Sequence, residues 1–182
     1  PDFDGAYQAQ EAFVNDGQID WNRIYDANIT NNINGLNAAY ALYEDRSDDK
    51  QLTVNSNFTT DLNDNVRLMG IFDYKKLESN NFAEIIDLFG GSGYLNVDSF
   101  DNFQFDLQNP DRIVGEGEKF RYNFNLYANV MSATAQAFFK YNKVDFYLAA
   151  SYTSTEYQRE GIYQNEAFAD NSFGKGRKLN EL

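Results

Sequence analysis

Regular alternation of apolar and polar residues is the main pattern in this chain, and it is clearest in residues 120–130. There, Phe, Tyr, Leu, Ala and Val occupy the even positions, while Asn, Arg and Tyr occupy the odd ones. Because successive side chains of a strand point to opposite faces, this pattern predicts a strand with one apolar and one amide-lined face. Such a strand fits a soluble sheet packed on a core. It fits equally a membrane barrel with lipid outside and water inside.

The same alternation predicts two antiparallel hairpins. The first covers residues 38–76 and turns through the polar residues 61–65. The second covers residues 118–157 and turns at Asn142 and Lys143. Short polar turns between alternating runs are the usual signature of a hairpin.

The alternation changes phase inside the second hairpin. Apolar residues occupy even positions through Val130 and odd positions from Ala133 onward. Since the strand period is two, this change requires either a turn or a one-residue bulge at residues 131–134. We expect a bulge, because the sequence Met-Ser-Ala-Thr lacks the Gly, Pro or Asn-Gly that a tight turn prefers.

Long connections precede, separate and follow these hairpins, at residues 1–35, 77–117 and 158–182. All of them fall at the end of the strands opposite to the short turns. This asymmetry is typical of outer-membrane barrels, which have short periplasmic turns and long external loops. The sequence therefore predicts an all-β fold. It is an antiparallel up-and-down meander of two long hairpins, with external loops that contain short helices.

Short helices are predicted in the first two of these connections. Asp20 is expected to cap one or two helical turns in an otherwise irregular first connection. In the second connection, Asn81 is expected to cap a helix that Gly90 and Gly91 end in a left-handed turn. The apolar residues of this predicted helix follow the spacing i, i+3, i+4 and i+7, and are Phe82, Ile85, Ile86 and Phe89.

Composition narrows the classes of function. The chain of 182 residues has no Cys and no His, which excludes disulfides, thiolate nucleophiles, and the commonest general base and zinc ligand. Most familiar enzyme sites cannot be built from the remaining residues, so no catalytic function is expected. A net charge of -13 repels phosphate backbones and argues against nucleic acid as a partner.

The second connection carries the candidate binding residues. Its ring side chains are the expected contacts for a solute, although packing within the connection explains them equally well. Its carboxylates offer the hard oxygen ligands that calcium prefers, although no EF-hand pattern is present. The expected solute contacts are Tyr94, Phe100, Phe103 and Phe105, and the expected calcium ligands are Asp98 and Asp101.

Several short segments, taken in their order and spacing, resemble the barrel of TonB-dependent outer-membrane receptors of the Bacteroidetes type. The likeness covers most of the chain from about Asp20. The segments are residues 21–25 (WNRIY), 43–46 (YEDR), 88–100 (LFGGSGYLNVDSF), 115–120 (GEGEKF), 141–146 (YNKVDF) and 157–163 (YQREGIY).

The resemblance implies a transporter in the outer membrane that takes up a bulky solute, with external loops that contribute to solute capture. Its partners would be outer-membrane lipid, the rest of its own barrel and plug, and an inner-membrane energising protein that acts through the plug. Residues 133–141 are then expected to span the lipid, with residues 120–130 as an extension above it. Single-chain barrels need about eight strands, so the chain is expected to be an excerpt of a longer protein that carries the plug.

Two alternatives remain open. The first is a secreted or surface β-sandwich module that binds glycan or protein. It predicts that the parent protein is soluble without detergent. The second is a calcium-binding adhesion module, for which chelation of calcium is expected to lower the melting temperature.

Overall fold

Antiparallel strands dominate the computed structural model, which describes residues 3–181 apart from the side chains at positions 3–6, 9, 12 and 16. The chain forms two compact units. The first unit comprises Pro1–Asp45 and Ala83–Tyr122, and the second comprises Arg46–Phe82 and Asn123–Leu182. The helices α1 (Phe3–Asp16) and α2 (Trp21–Ile33) belong to the first unit. Among the described residues, no helix is both long enough and apolar enough to cross a membrane.

The long strands form an up-and-down meander. In chain order the strands are β1 (Leu42–Asn63), β2 (Val66–Asp87), β3 (Tyr94–Leu95), β4 (Ile113–Val114), β5 (Lys119–Tyr141), β6 (Val144–Gly161), β7 (Gly174–Lys175) and β8 (Leu179–Glu181). Strands β1, β2, β5 and β6 lie side by side in that order, and the short strands β7 and β8 both pair with β6. Strands β3 and β4 pair separately. The predicted all-β antiparallel meander of two long hairpins is confirmed.

Both predicted hairpin turns are present. Residues 64–65 join β1 to β2, and residues 142–143 join β5 to β6. In the first turn, the Asn65 backbone N–H donates to the side-chain oxygen of Asn63 at 2.9 Å, a bond that favours a tight reversal of the chain. The second hairpin is longer than predicted, because β6 continues to Gly161.

The helix predicted in the second connection is wrong, because β2 continues through that segment to Asp87. Ile85 is buried and Ile86 is exposed, which is the alternation of a strand. The Ile85 N–H donates to the Glu118 carbonyl at 3.1 Å, and the Gly117 N–H donates to the Ile85 carbonyl at 2.8 Å. This pairing with a segment distant in sequence, together with the β-branched side chains, outweighs the helical spacing.

The left-handed turn predicted at Gly90 is present, but it follows a strand rather than a helix. Phe89 and Gly90 have φ angles of 50° and 81°. A Cβ atom at position 90 would collide with the side chain of Ile29 on α2. Gly90 therefore permits both the reversal of the chain and the close approach of α2.

The first connection is more helical than predicted. The Asp20 cap is confirmed, since its carboxylate accepts the Arg23 backbone N–H at 3.1 Å. The expectation of a mainly irregular segment is wrong, because α1 and α2 occupy most of it. Contacts with distant residues hold α2 in place. The rings of Trp21 and Tyr25 lie 5.8 and 5.3 Å from the ring of Phe89.

The bulge predicted at residues 131–134 is absent from the β5–β6 ladder, and that prediction is wrong. The two strands pair in one unbroken register, from Phe124 opposite Gly161 to Tyr141 opposite Val144. The phase change in the sequence therefore falls on a regular strand. Each face of β5 changes its polarity part-way along, without a change in the direction of the side chains.

An apolar core and one buried amide organise the first unit. The core consists of Ala38, Ala83, Ile85, Leu88, Val114 and Phe120, with Ala41, Tyr94 and Tyr122 packed against it. Asn28 of α2 is fully buried and bonds to the backbone of Ala39, Tyr40 and Leu88. These bonds tie α2 to the segment before β1 and to the end of β2.

Candidate functional site

The first unit contains a recess of about 280 Å³, which we call the aromatic recess. Its ring side chains come from parts of the chain that are distant in sequence, namely the start of β1, the second connection and the start of β5. They are Tyr43, Tyr94, Phe100, Phe105 and Phe120, and the side chain of Arg121 joins them. The recess thus combines ring side chains with a few polar groups, among them the cation Arg121 and the carboxylate of Asp98, as small-ligand sites often do.

The predicted solute contacts fall into two groups. Tyr94, Phe100 and Phe105 line the aromatic recess, whereas Phe103 packs edge-on against Phe105 with ring centroids 5.4 Å apart. Tyr94 is half-buried and lies edge-on to Phe120 at 6.1 Å. Phe100 is 91% exposed, so its ring is available to a ligand. Phe103 therefore has a packing role, and the other three residues remain candidate contacts.

The predicted calcium ligand Asp98 also lines the recess, and its carboxylate stabilises a turn. The oxygen Oδ1 accepts the backbone N–H groups of Phe100 and Asp101, each at 2.9 Å. The backbone N–H of Asp98 in turn donates to the Phe103 carbonyl at 2.9 Å. This turn presents Phe100 to solvent. Within the described residues, no group of three or more carboxylates is placed to hold a metal ion, and calcium binding stays a prediction.

Arg121 is a residue of the recess that the sequence does not single out. Its φ angle is 59°, a left-handed conformation that costs about 1 kcal/mol or more in a residue with a Cβ. The buried amide of Asn96 accounts for this geometry, because its Oδ1 accepts the Arg121 backbone N–H at 2.9 Å. In the alternation of β5, Arg121 is one of several polar positions and is not distinguished from the others. Nothing local in the sequence indicates its contact with Asn96.

Tyr43 fixes the side chain of Arg121. The guanidinium donates from Nη1 to the Tyr43 hydroxyl at 2.7 Å, and its central carbon lies 5.3 Å from the centre of the same ring. The Tyr43 ring is itself held edge-on against Phe120, with centroids 5.1 Å apart. Arg121 is therefore oriented before any ligand arrives, which lowers the entropic cost of binding.

Two ionisable groups in the first unit, Tyr122 and Glu118, have shifted pKa values. Burial, followed by donation of its hydroxyl to Asp45 at 2.9 Å, raises the pKa of Tyr122 to about 12, so this ring stays neutral. The pKa of Glu118 lies below its ordinary value, first because the Gly115 backbone N–H donates to its carboxylate at 2.7 Å. Arg112 adds a bond at 2.9 Å. Glu118 therefore remains charged into the acid range and holds the turn before β5.

In the second unit, β5 and β6 share a face whose polarity changes along the strands. Directly opposite residues of an antiparallel pair project to the same face. On this face, the turn-proximal residues are apolar. They are Met131, Ala133, Ala135, Ala137, Phe139 and Tyr141 on β5, and Val144, Phe146, Leu148, Ala150 and Tyr152 on β6. We call this surface the apolar sheet face.

Further from the hairpin turn, the same side of the sheet is polar. Tyr127 donates its hydroxyl to Glu160 at 2.8 Å, and this bond, with burial, raises the pKa of Tyr127. Asn129 donates to Glu156 at 3.3 Å, and Lys178 donates to the same carboxylate at 2.9 Å. The bond from Lys178 is the main reason that the pKa of Glu156 is lowered. The boundary lies between Asn129 and Met131 on β5, and one residue pair closer to the turn on β6, where Ser154 stands opposite Met131.

The opposite side of the turn-proximal half is mostly polar. On β5 it carries Ser132, Thr134, Gln136 and Lys140, opposite Thr153, Ser151, Ala149 and Asp145 of β6. Ser132 donates to Asp73 of β2 at 3.3 Å, and Asn55 of β1 also bonds to Asp73. The exceptions are Ala149 and the rings of Phe138 and Tyr147, which lie 6.0 Å apart on this side.

The apolar sheet face extends onto β1 and β2 and is exposed. Phe58 and Leu68 line one shallow groove with Ala135, Ala137 and Leu148. Each lies an odd number of residues from Asn55 or Asp73, which bond on the polar side, so both side chains project to the apolar side. The ring of Phe58 covers Gly70, where a Cβ atom would collide with it. Phe58 and Leu148 are 61% and 64% exposed, although each carries a large apolar side chain. No described part of the chain covers this surface.

Comparisons of the chain with protein-family models, curated proteins and solved structures found no match. The function is therefore inferred from the recess and from the two sides of the sheet.

Proposed function

We propose that this chain is a segment of an outer-membrane transporter barrel, of the TonB-dependent type that its sequence resembles. It takes up a bulky solute, and its long connections contribute to solute capture. The observation that carries this proposal is the apolar sheet face, which is exposed and ends within one residue pair of the same level on β5 and β6. Its role is binding and transport rather than catalysis.

The exposed apolar sheet face favours lipid over water as its surroundings. Soluble monomers rarely expose a contiguous apolar surface that crosses several strands. The apolar part of β5 covers residues 131–141, which is close to the roughly 9 to 11 residues that a tilted strand needs to span a bilayer. Beyond Met131, amides and carboxylates replace the apolar side chains, as expected where a strand leaves the hydrocarbon region.

The polar side of the same strands suits a water-filled interior. Barrel strands in membranes alternate between lipid-facing apolar residues and lumen-facing polar residues. Asp73 illustrates this arrangement, since Asn55 and Ser132 both bond to its carboxylate on the polar side. A carboxylate of this kind is unfavourable in hydrocarbon and is stable beside water.

The proposal requires partners that complete the barrel. An open sheet edge leaves backbone N–H and C=O groups without partners, which hydrocarbon does not tolerate. Further strands of the same barrel would pair with β1 and with the turn-proximal part of β6. The plug, an inner-membrane energising protein and outer-membrane lipid are the other partners.

A secreted or surface binding module is the second candidate. The observation that favours it is the aromatic recess, which lies wholly within the first unit and needs no lipid for its geometry. In that case a further protein layer would cover the apolar sheet face.

Detergent dependence distinguishes these functions. The parent protein would be expressed in a Gram-negative host and fractionated, followed by sedimentation of the purified material. The transporter predicts that it stays in the membrane fraction after washing at alkaline pH and is extracted only by detergent. A parent protein that is soluble without detergent and sediments as a monomer would contradict the transporter and favour the binding module.

A further inference from the structure

The size of the aromatic recess limits the group that it accepts. Its volume of about 280 Å³ lies at the lower end of the roughly 300 to 1,000 Å³ typical of sites for drug-sized ligands. A whole bulky solute does not fit in this space. One ring with a small substituent, at the end of a larger molecule, does.

The lining favours an aromatic ring over a sugar. The rings of Tyr43, Tyr94, Phe105 and Phe120 line the recess beside the polar groups of Asp98, Ser99 and Arg121, and the exposed ring of Phe100 is free to add a further surface. Aromatic rings gain from offset or edge-on contacts of this kind. A sugar brings several hydroxyl groups, each of which loses free energy when it is removed from water without a hydrogen-bonding partner.

The charge of the recess favours an anionic substituent. Within the described residues, the Arg121 guanidinium bonds to the Tyr43 hydroxyl and to no carboxylate, although the chain has a net charge of -13. A guanidinium has five N–H donors and binds a carboxylate through two parallel bonds. Asn96 and Tyr43 hold the backbone and the side chain of Arg121, so these donors are fixed in position.

Asp98 is the opposing charge in the same recess. Its carboxylate already accepts two backbone N–H groups, and an amide oxygen at this position would accept the same bonds. The substitution Asp98→Asn therefore removes a negative charge and keeps the turn. Its effect on affinity has opposite signs for an anionic and for a cationic ligand.

We propose that the aromatic recess binds the carboxylate-bearing aromatic end of a solute, with Arg121 on the carboxylate and the surrounding rings on the aromatic group. This inference rests on the proposed function, because it names the chemical class of the solute that the connections would capture.

The test measures dissociation constants by ligand-observed NMR for the full chain in detergent micelles. The probes are benzoate, benzamide with the ring but no charge, acetate with the charge but no ring, and glucuronate with a sugar ring and the charge. Benzoate is expected to bind at least about tenfold more tightly than each of the others, as loss of a charged hydrogen bond predicts.

Variants assign the binding to the recess. Arg121→Gln is expected to weaken benzoate at least about tenfold and to leave benzamide unchanged. Arg121→Asn repeats the test with a residue that tolerates a left-handed backbone, in case the Gln variant does not fold. Asp98→Asn is expected to tighten benzoate binding. Arg23→Gln, which removes an exposed arginine charge of the same unit outside the recess, is expected to change nothing.

The inference is overturned if benzoate and benzamide bind equally, or if a folded Arg121 variant binds benzoate as the unaltered chain does. Tighter binding of glucuronate than of benzoate would also overturn it, since the ligand would then be a sugar acid. These results leave the membrane fractionation unaffected. Conversely, a soluble parent with Arg121-dependent benzoate binding overturns the transporter and retains this ligand class.

Discussion

Individual side chains hold separate segments of the first unit together, and Asn28 is the clearest case. Its amide donates to the carbonyls of Tyr40 and Leu88, each at 2.7 Å. Its oxygen accepts the N–H groups of Ala39 and Tyr40 at 2.9 and 3.0 Å. One side chain thus satisfies backbone groups of the segment before β1 and of the segment after β2.

Replacement of Asn28 by Ala is expected to lower the free energy of unfolding by roughly 3 kcal/mol, because buried backbone groups lose their partners. Denaturant titration followed by Trp21 fluorescence measures the effect. The matched control is Asn31→Ala, which removes a partly exposed amide with one bond to the Asn37 carbonyl at 3.0 Å. Equal losses for the two variants would contradict the role given to Asn28.

Residue types in the second connection were sufficient to predict part of the candidate site. Ring side chains in a long connection pointed to Tyr94, Phe100 and Phe105, which the fold brings together. Arg121 was beyond prediction. Its backbone N–H donates to the side-chain oxygen of Asn96, a contact between residues far apart in sequence that no local pattern encodes.

At the level of elements, the sequence predicted the strands better than the segments between them. Alternation over many residues identified both hairpins, because the period of two is the same wherever a strand has two different sides. The end of β2 was misread as a helix. Its apolar spacing fits both periods over a short window, and pairing with residues 117–118 decides the outcome.

The change of phase along β5 is present in the sequence, but its interpretation as a bulge is wrong. The prediction assumed one environment along each face, so that a change of phase required an extra residue. The register shows instead that the side chains keep their direction while the polarity of the residues on each face changes. In the proposed transporter, the passage of the strand from lipid to water gives it this property.

The turn before β5 is expected to make stability depend on pH in the acid range. The folded pKa of Glu118 is below its unfolded value of about 4.3, so its contribution is complete above that pH and is lost as the pH falls through the lowered folded pKa. Urea titrations over this range measure the dependence. Glu118→Gln is expected to be less stable than the unaltered chain near neutral pH, with a difference that shrinks on acidification.

The control for this prediction is Glu181→Gln, which removes an exposed carboxylate of β8. Its stability is expected to follow that of the unaltered chain at every pH. A difference for Glu118→Gln that stays constant from neutral to acid pH would show that its charge does not contribute.

On the scale of the whole molecule, the two units carry different parts of the proposed function. The first unit holds the aromatic recess, and the second holds the apolar sheet face. The sequence predicted the meander and the two-sided strands. The alternation does not decide whether lipid or protein covers the apolar side, because strands show the same alternation in both environments. Only the resemblance to outer-membrane receptors favours lipid.

In the proposed transporter, lipid covers the apolar sheet face. Adjacent residues on opposite sides of β6 test it, since Leu148 lies opposite Ala137 on the apolar sheet face and Ala149 lies opposite Gln136 on the polar side. Each is replaced by Trp in a parent protein in which Trp21 and every other Trp residue are replaced by Phe, and this protein is reconstituted in bilayers that contain brominated lipids. We predict strong quenching of Trp fluorescence for Leu148→Trp and little for Ala149→Trp. Equal quenching at both positions, or none at either, would contradict the account.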